Sequence, residues 1–398
     1  MPHVFSCFLP LLTPFTPVDP DDWVAWMGPA RNGVSAESEW SSEGRSEPLW
    51  ESEVGLGYSS FVVSKDRLYT LGYDKDGGMD VVFCLDATTG EEVWAHAYPA
   101  KIWDKFHGGG TLATPALDGD RLYTNEREGK LFCLDAASGE VLWSKDQVAE
   151  FGVTPPQWGF SASPYVQGDL VVVNVGRVIA YDKKSGEVRW KSKDYGDAYS
   201  TPAPWTLDGK ECLAVFAGKG LAVVALADGA EKAFTPWKTQ YDVNAMTPVV
   251  LGERVFISSG YEHGAQMLEL ADEEFRVLWE SKVMRNQMTG AVPWKDHLYG
   301  FDDSVLKCID LAGKELWRER GLGKGALMIA DGRLIVLSEE GELVIAAAKP
   351  EGFEELSRAK VLDGSVCWTT PVLANGRIYC RNHAGNLVCL DHRLVRGQ

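Results

Sequence analysis

A phrase that recurs along the chain constrains the fold more than any other feature of the sequence. It reads RLYTLGYDKDGGMDVVFCLDATTGEEVW where it ends at Trp94 and RLYTNEREGKLFCLDAASGEVLW where it ends at Trp143. In each copy a hydrophobic run follows an Asp-Gly-type turn, a second run ends in Leu-Asp, and a Thr-Gly or Ser-Gly turn leads to a third run that ends in Trp. In five of the units a further strand opens with Thr-Pro or Ser-Pro, as at Thr114. The repeating unit is therefore predicted to contain four short strands.

The spacing of the closing tryptophans predicts the number of units. Seven of them recur at steps of 38 to 49 residues, and four strands in about 40 residues are typical of a propeller blade. The span from Tyr58 to Asp391 holds eight units of about 42 residues each, of which those near 200–240 and 325–362 are degenerate. We therefore expect an all-β, eight-bladed β-propeller of four-stranded antiparallel blades over residues 46–393.

The two ends of this region are predicted to meet in the last blade. That blade stops after its third strand, and PLWESEVG around Trp50 can supply the missing outer strand, which closes the ring and removes an exposed edge. Each closing tryptophan is expected to cover the neighbouring blade and to contribute roughly 4–6 kcal/mol of gross burial energy. The tryptophans expected to dock in this way are Trp50, Trp94, Trp143, Trp190, Trp237, Trp279 and Trp317.

The phrase LDATTGEEVW (85–94) and its copies resemble the tryptophan-docking repeat of the PQQ-like (quinoprotein-type) β-propeller superfamily, an architecture like that of WD40 and YVTN propellers. The superfamily includes quinoprotein alcohol dehydrogenases and BamB-like outer-membrane assembly proteins, and the chain resembles the BamB-like members most in size and style. The upstream WVAWMGPARNGVS (23–35) resembles the leader of exported bacterial members. The resemblance implies a non-catalytic binding or scaffold propeller of the cell envelope, periplasmic or on the cell surface, that binds an envelope protein or peptide.

Two alternatives remain open from the sequence: a quinoprotein-type oxidoreductase that binds PQQ and Ca²⁺, and a propeller that binds sugar or cell-wall material. The quinoprotein enzymes that the repeat resembles hold Ca²⁺ with Glu, Asn and Asp, and many carry a disulfide between adjacent cysteines. The chain has no adjacent cysteines, no such ligand trio can be assigned to a blade, and neither a G-x-S-x-G elbow nor zinc-like histidine spacing occurs. We therefore expect no catalytic residue, no metal ligand and no cofactor.

The composition limits the range of partners. A formal net charge of −18 argues against nucleic acid, whose phosphates need clustered Lys and Arg. No apolar run is long enough for a transmembrane helix. Residues 1–22 are interpreted as a signal peptide or a disordered tail, 23–45 as an N-terminal extension and 394–398 as a tail, and the protein is expected to be a monomer.

Binding residues are expected on the connectors that enter the innermost strands, because loops on a rigid scaffold carry function. Two neighbouring connectors are about twice as long as the others, with 20 residues from Trp94 to Thr114 and 20 from Trp143 to Ser163. The first contains FHGGG, whose glycines let the chain turn into the channel and whose His107 faces either a ligand or water. The residues predicted to surround the channel mouth are Trp103, Asp104, His107, Trp158, Phe160, Asp197, Tyr199, Asn244, Asn286, Gln287 and Trp368.

Overall fold

The computed structural model describes residues 22–43, 45–105 and 107–394, and over this range the chain is an eight-bladed β-propeller. Eight sheets follow one another along the chain and pair their consecutive strands antiparallel, which confirms the predicted fold class. The one helix within the described residues is α1 (Gln147–Phe151), capped by Asp146 and Gly152. No helix in this part of the chain is long and apolar enough to cross a membrane.

The blades are built from consecutive strands, and the first strand of each blade lines the axial channel. Two strands precede the first blade, namely β1 (Val34–Ser35) and β2 (Trp50–Glu53). The first four blades contain β3 (Val62–Ser64), β4 (Arg67–Asp74), β5 (Met79–Asp86), β6 (Glu92–Pro99), β7 (Ala116–Asp118), β8 (Arg121–Asn125), β9 (Lys130–Asp135), β10 (Val141–Asp146), β11 (Tyr165–Gln167), β12 (Leu170–Asn174), β13 (Arg177–Asp182), β14 (Val188–Asp194), β15 (Ala203–Leu207), β16 (Lys210–Ala217), β17 (Gly220–Ala225) and β18 (Glu231–Pro236). The last four contain β19 (Val249–Leu251), β20 (Arg254–Ser259), β21 (Gly264–Ala271), β22 (Glu274–Ser281), β23 (Val292–Trp294), β24 (His297–Asp302), β25 (Val305–Asp310), β26 (Glu315–Glu319), β27 (Ala326–Ala330), β28 (Arg333–Leu337), β29 (Glu342–Ala347), β30 (Glu355–Lys360), β31 (Val372–Ala374), β32 (Arg377–Arg381) and β33 (Asn386–Asp391).

The Leu-Asp phrase of the repeat builds the tight turn before the outer strand. In the first blade the Asp86 carboxylate accepts hydrogen bonds from the backbone N–H groups of Thr88 (2.8 Å) and Thr89 (3.1 Å). Gly90 then takes the left-handed conformation that the turn requires, with φ of 76°. Asp135 makes equivalent bonds in the second blade, so the recurring aspartate is explained by turn formation.

Six of the closing tryptophans dock on the next blade in the same way. Trp94 donates from Nε1 to the Ala136 carbonyl oxygen at 3.1 Å, and its ring lies against Gly139, where any side chain would collide with it. Tyr69 and Leu122 continue the apolar core between the two blades. At five of the blade interfaces, one large ring therefore lies against one glycine turn. The other five tryptophans that make the equivalent bond are Trp50, Trp143, Trp190, Trp279 and Trp317.

Trp237 docks on the next blade from a different position than the other six tryptophans. In the fourth blade the position opposite Val223, where the other outer strands place their tryptophan, is held by Ala233. Trp237 lies beyond the end of β18, and its Nε1 donates to Ser259 Oγ at 3.0 Å. Its ring is nonetheless buried in a core cluster with Val255 and Ile257 of the fifth blade, from a position four residues after the one that the other docking tryptophans occupy.

The N-terminal strand β2 completes the eighth blade, as the sequence predicted. It pairs antiparallel with β33, and Trp50 lies opposite Cys389. Arg381 of the same blade is fully buried and donates hydrogen bonds to the carbonyl oxygens of Leu71 at 2.7 Å and Gly55 at 2.9 Å. The first and last blades are therefore joined both by the added strand and by a buried guanidinium group.

The seventh blade has a fifth strand that the repeat did not reveal. β1 pairs parallel with the innermost strand β27, with Val34 opposite Ile329. Residues 22–33, named here the crossing segment, run ahead of β1 and contact the innermost strands of other blades. Trp23 and Val63 exchange backbone hydrogen bonds of 2.8 and 2.9 Å in blade one, and the Leu117 N–H donates to the Val24 carbonyl oxygen in blade two. The crossing segment thus spans the channel from the first blade to the seventh.

Candidate binding cavity at the channel mouth

A cavity of about 530 Å³ lies where the connectors enter the innermost strands. All eight connectors contribute side chains to its wall, so the cavity is centred on the propeller axis. Most of these side chains are aromatic or aliphatic, and several hydroxyl and amide groups lie among them. The described lining residues are Trp26, Tyr58, His107, Leu112, Gln157, Trp158, Ser161, Ser163, Tyr199, Thr201, Tyr241, Val243, Ala245, Thr247, Tyr261, Gln287, Met288, Lys324, Trp368 and Thr370.

The crossing segment forms the floor of the cavity. It meets the innermost strands at Val63 and Leu117, which lie three residues beyond Ser60 and Thr114 at the strand openings and hence roughly 10 Å further down the channel. Trp26 rises from this segment into the cavity, and its Nε1 donates to Thr247 Oγ1 at 2.9 Å. The crossing segment therefore runs across the channel beneath the cavity, with the Trp26 ring facing the cavity.

Stacked aromatic rings form one side of the wall. Tyr58 lies between Trp368 and His383, with ring centroids 5.5 and 4.8 Å apart and near-parallel planes. The Tyr58 hydroxyl donates to the His107 carbonyl oxygen at 2.5 Å, and a His383 ring nitrogen lies 3.0 Å from the Gly109 carbonyl oxygen. These contacts fix the glycine-rich connector against the last blade and present His107 at the cavity.

A ring of hydroxyl groups surrounds the throat at the strand openings. The backbone N–H of Ser60 donates to Thr114 Oγ1 at 3.0 Å, that of Thr114 to Ser163 Oγ at 2.9 Å, and that of Ser163 to Thr201 Oγ1 at 2.9 Å. Each bond links one blade to the next. The Thr-Pro and Ser-Pro motif of the repeat therefore supplies inter-blade hydrogen bonds at the level of the cavity.

The two long connectors are tied down by one buried side chain. Arg127, in the turn between β8 and β9, places Nη1 at 2.7 and 2.6 Å from the two carboxylate oxygens of Asp80, and both groups are almost fully buried. Its Nε donates to the Lys101 carbonyl oxygen of the first connector at 2.8 Å. Its own carbonyl oxygen accepts from the Phe160 N–H of the second connector at 2.9 Å. Arg127 thus fixes both connectors to the same blade edge.

The burial of Glu126, which lies next to Arg127 in the sequence, predicts that the stability of the protein depends on pH. The Glu126 side chain is buried, and burial is the main cause that raises its pKa to about 7. The folded protein therefore holds a proton that the unfolded chain releases near pH 4.5, so the free energy of unfolding falls as the pH rises from about 4.5 to about 7. We expect Glu126→Gln to match the wild type near pH 4.5 and to exceed it by up to roughly 3 kcal/mol at pH 8 in urea denaturation.

The control for this prediction is Glu128→Gln. The Glu128 side chain is a quarter exposed and pairs with Lys101 at 3.3 Å on the surface, so its removal should leave the pH profile of the wild type in place. Equal stability differences for Glu126→Gln at pH 4.5 and pH 8 would contradict the assignment of this pH dependence to Glu126.

The wall of the cavity is largely uncharged. Burial lowers the pKa of His107, and the nearby His383 lowers it further. Burial also raises the pKa of the Tyr58 and Tyr199 hydroxyls above the ordinary value. These rings are therefore neutral near pH 7. Lys324 supplies an ammonium group, which contacts Gln287 Oε1 at 2.8 Å and Asp303 Oδ1 at 3.1 Å.

The described lining residues include no Asp, Glu or Cys side chain. Ca²⁺ is bound by oxygen ligands that normally include carboxylates, so this wall does not fit the calcium-assisted quinone chemistry that the repeat resemblance raised as an alternative. Over residues 22–43, 45–105 and 107–394, no cluster of three or more His, Cys, Asp and Glu side chains is arranged to hold a metal ion. The described lining consists mainly of rings, aliphatic groups and uncharged hydrogen-bonding groups.

Five of the eleven residues predicted at the mouth line the cavity. They come from five different connectors, which the sequence alone had assigned to the same face. Trp158 and Tyr199 lie together on the wall opposite Tyr58, with ring centroids 5.9 Å apart. The five residues are His107, Trp158, Tyr199, Gln287 and Trp368.

The other six residues predicted at the channel mouth are not among the described residues that line the cavity. Trp103 is half-buried in the first long connector and Asp104 beside it is exposed, and neither borders the cavity. Phe160 is buried in the core between the second and third blades. The remaining three, set back from the cavity, are Asp197, Asn244 and Asn286.

The two asparagines have structural roles. Asn244 is fully buried and donates to the carbonyl oxygens of Ala217 and Trp237 at 2.8 and 3.2 Å. Asn286 is almost fully buried and donates to the Phe301 carbonyl oxygen at 3.1 Å. Both side chains satisfy backbone carbonyl groups where a connector passes beneath the surface.

The sequence did not single out several residues of the wall. Trp26 belongs to the crossing segment and meets Thr247 across a separation of 221 residues, which no local pattern indicates. Tyr241 and Tyr261 pack edge to face with centroids 5.1 Å apart at the rim. The sequence offered one signal for Tyr241, because it lies in the same connector as the predicted Asn244. Tyr261 lies in the β20–β21 hairpin of the same face.

The sequence of the chain matches a known protein family. The family model described as outer membrane protein assembly factor BamB matches residues 78–312, more than half of the chain. No curated protein matches the sequence.

Three solved structures illustrate the fold. BamB from Moraxella catarrhalis has a TM-score of 0.61 at 17% identity, over 86% of this chain and 98% of that one. The quinohemoprotein alcohol dehydrogenase from Comamonas testosteroni has a TM-score of 0.69 at 12% identity, over 93% of this chain and 80% of that one. The computationally designed Ika8 protein has a TM-score of 0.62 at 13% identity, over 87% and 99%. At these identities the likeness concerns the fold alone.

Proposed function

The chain belongs to the BamB-like propeller family, and on that premise we propose that it is a non-catalytic binding and scaffold propeller of the cell envelope. Its mouth captures a segment of another protein. The observation that supports this proposal best is the aromatic-walled cavity, which has a floor at Trp26 and opens at a rim with exposed apolar groups. A periplasmic or cell-surface location is part of the proposal, and membership of the family supports it.

The size and lining of the cavity suit an inserted group. About 530 Å³ lies within the range of pockets that enclose a small molecule, and it also accommodates a large side chain with its backbone. Aromatic side chains in well-packed pockets dominate the energy of protein recognition. Tyr58 and Trp368 on one side, and Trp158 and Tyr199 on the other, provide such a pocket.

The rim favours a protein partner over a free small molecule. Tyr241 is 48% exposed and Met288 is 38% exposed, and both also line the cavity. Apolar surface that continues from a cavity to the rim is covered only by a partner larger than the cavity itself. A loop or chain end that enters the cavity would bring neighbouring residues onto Tyr241 and Met288.

The lining also supports a non-catalytic role. Acid–base catalysis needs a group that exchanges protons near the operating pH and a partner that orients it. His107 and His383 have lowered pKa values through burial, and His383 contacts the Gly109 carbonyl oxygen rather than a carboxylate. The described wall therefore offers surfaces for binding and lacks a paired acid and base.

Site-specific photo-crosslinking tests this proposal. The full chain, produced in its source cells with p-benzoylphenylalanine in place of Tyr241, is expected to crosslink to a cell-envelope protein. The same replacement at Val277, an exposed residue on the outer strand of the fifth blade, should give no such product. Ala245→Trp fills the cavity and should abolish the crosslink from position 241.

The matched control for the filling variant is Val277→Trp, which adds the same ring to the outside of the same blade. The proposal is supported if Ala245→Trp loses the crosslinked partner while Val277→Trp keeps it and both melt near the wild-type temperature. It is overturned if position 241 yields no protein adduct, or if the adduct survives Ala245→Trp. An adduct with glycan in place of protein would favour the sugar-binding alternative.

A further inference from the structure

The cavity also indicates the chemistry of the group it receives, an inference that rests on the proposed function. We propose that the partner inserts an aromatic residue, which stacks above Trp26 and presents its backbone carbonyl oxygens to hydrogen-bond donors at the throat. The proposal follows from the way the channel holds its own tryptophan, from the state of the throat hydroxyls and from the lack of acids on the wall.

The lower channel already binds a tryptophan that belongs to a peptide segment. Trp26 enters from the crossing segment, and its Nε1 donates to Thr247 Oγ1 at 2.9 Å. Trp26 also lines the cavity, so its ring is in contact with the open space above it. A second aromatic ring that entered from the mouth would meet an aromatic floor, which favours offset or edge-to-face stacking.

Each of three throat hydroxyls already accepts one hydrogen bond and still has its proton to donate. The oxygens of Ser163, Thr201 and Thr247 each accept a hydrogen bond, from the Thr114 N–H, the Ser163 N–H and the Trp26 indole. None of the three hydroxyl protons has an acceptor among the described residues. All three side chains line the cavity. Since a hydroxyl has one proton to donate, these groups are available to the acceptor oxygens of a ligand.

Two further polar groups of the wall also offer donors. The Lys324 ammonium is a donor, and the Gln287 carbonyl oxygen that contacts it at 2.8 Å leaves the Gln287 amide N–H₂ as a donor as well. No carboxylate lies among the described lining residues. A net charge of −18 would by itself predict a basic ligand, but a cationic group inside this cavity would find no acid to pair with.

Three small probes separate these requirements. N-acetyl-L-tryptophanamide has the indole ring and two carbonyl groups. Tryptamine keeps the ring but replaces the carbonyl groups with an ammonium group, and N-acetyl-L-alaninamide keeps the carbonyl groups without the ring. In titrations followed by saturation-transfer NMR, we expect N-acetyl-L-tryptophanamide to bind about 10-fold more tightly than tryptamine, and N-acetyl-L-alaninamide to bind below detection.

Variants of the crossing segment locate the bound probe. Trp26→Ala should weaken binding of N-acetyl-L-tryptophanamide about 10-fold, whereas Trp23→Phe, in the same segment but outside the cavity, should leave it within about twofold. Ala245→Trp should abolish it. The inference would be overturned if tryptamine bound as tightly as N-acetyl-L-tryptophanamide or more tightly. It would also be overturned if N-acetyl-L-tryptophanamide showed no binding that Ala245→Trp removes. Neither result would affect a crosslink from position 241, so failure of this inference is distinguishable from failure of the proposed function.

Discussion

Deletion of residues 46–54 is expected to abolish cooperative folding of the propeller. This segment contains β2, the outer strand of the eighth blade, whose Trp50 donates to the Ala87 carbonyl oxygen of blade one at 3.2 Å. Loss of the strand leaves the β33 edge unpaired. It also removes the Trp50 ring, whose burial is worth roughly 4–6 kcal/mol of gross energy. Because a protein is stable by only about 5–15 kcal/mol, this loss is comparable to the whole stability.

The measurement is thermal denaturation followed by circular dichroism, together with gel filtration. The control chain lacks residues 1–20, which belong to none of the described strands, and it should melt with the wild type. Trp190→Ala serves as a second control, because it removes a docking tryptophan from an interface between two central blades. The strand pairing that closes the propeller stays in place. This substitution should destabilise the protein by about 3–5 kcal/mol, and the chain should remain folded. A chain without residues 46–54 that melts cooperatively within about 5 °C of the wild type would refute the role of this strand in closure.

The architecture could be predicted because each element of the repeat has a local physical cause. The aspartate of the Leu-Asp phrase caps its turn, the glycine provides left-handed backbone, and the tryptophan covers the next blade. These causes act within one repeat, so they leave a pattern that recurs in the sequence. Trp237 shows the limit of spacing alone, since a tryptophan at nearly the right interval lies four residues past the docking position that Ala233 occupies.

The cavity could be predicted only in part, because its wall depends on which way each connector turns its side chains. The sequence placed Asn244 and Tyr241 on one connector, but the amide is buried against backbone carbonyl groups while the phenol lies at the rim. The floor could not be predicted at all. Trp26 reaches the cavity because residues 22–35 cross from blade one to blade seven, and contacts over such separations have no periodic signature. That crossing places the Trp26 ring across the channel as the floor of the cavity.

The second large effect is expected at the buried ion pair beneath the two long connectors. Arg127→Leu leaves the Asp80 carboxylate, which is 1% exposed, without its partner, and removes the bonds to Lys101 on the first connector. Removal of one member of a buried pair typically costs 3–5 kcal/mol, because the remaining charge has neither water nor a counter-charge. We expect a loss of about 4 kcal/mol in the free energy of unfolding from urea denaturation. The exposed pair of Arg189 and Asp182 provides the control, and Arg189→Leu should cost less than about 1 kcal/mol.

A double variant separates charge burial from connector anchoring. In Arg127→Leu/Asp80→Leu no charge remains buried, so most of the lost stability should return. The first connector, however, still lacks its bond from Arg127 to the Lys101 carbonyl oxygen. We therefore expect hydrogen exchange at Gly109 and Gly110 to stay faster than in the wild type even where the global stability is restored. Wild-type exchange at these glycines in the double variant would mean that the Tyr58 and His383 contacts alone hold the connector at the cavity.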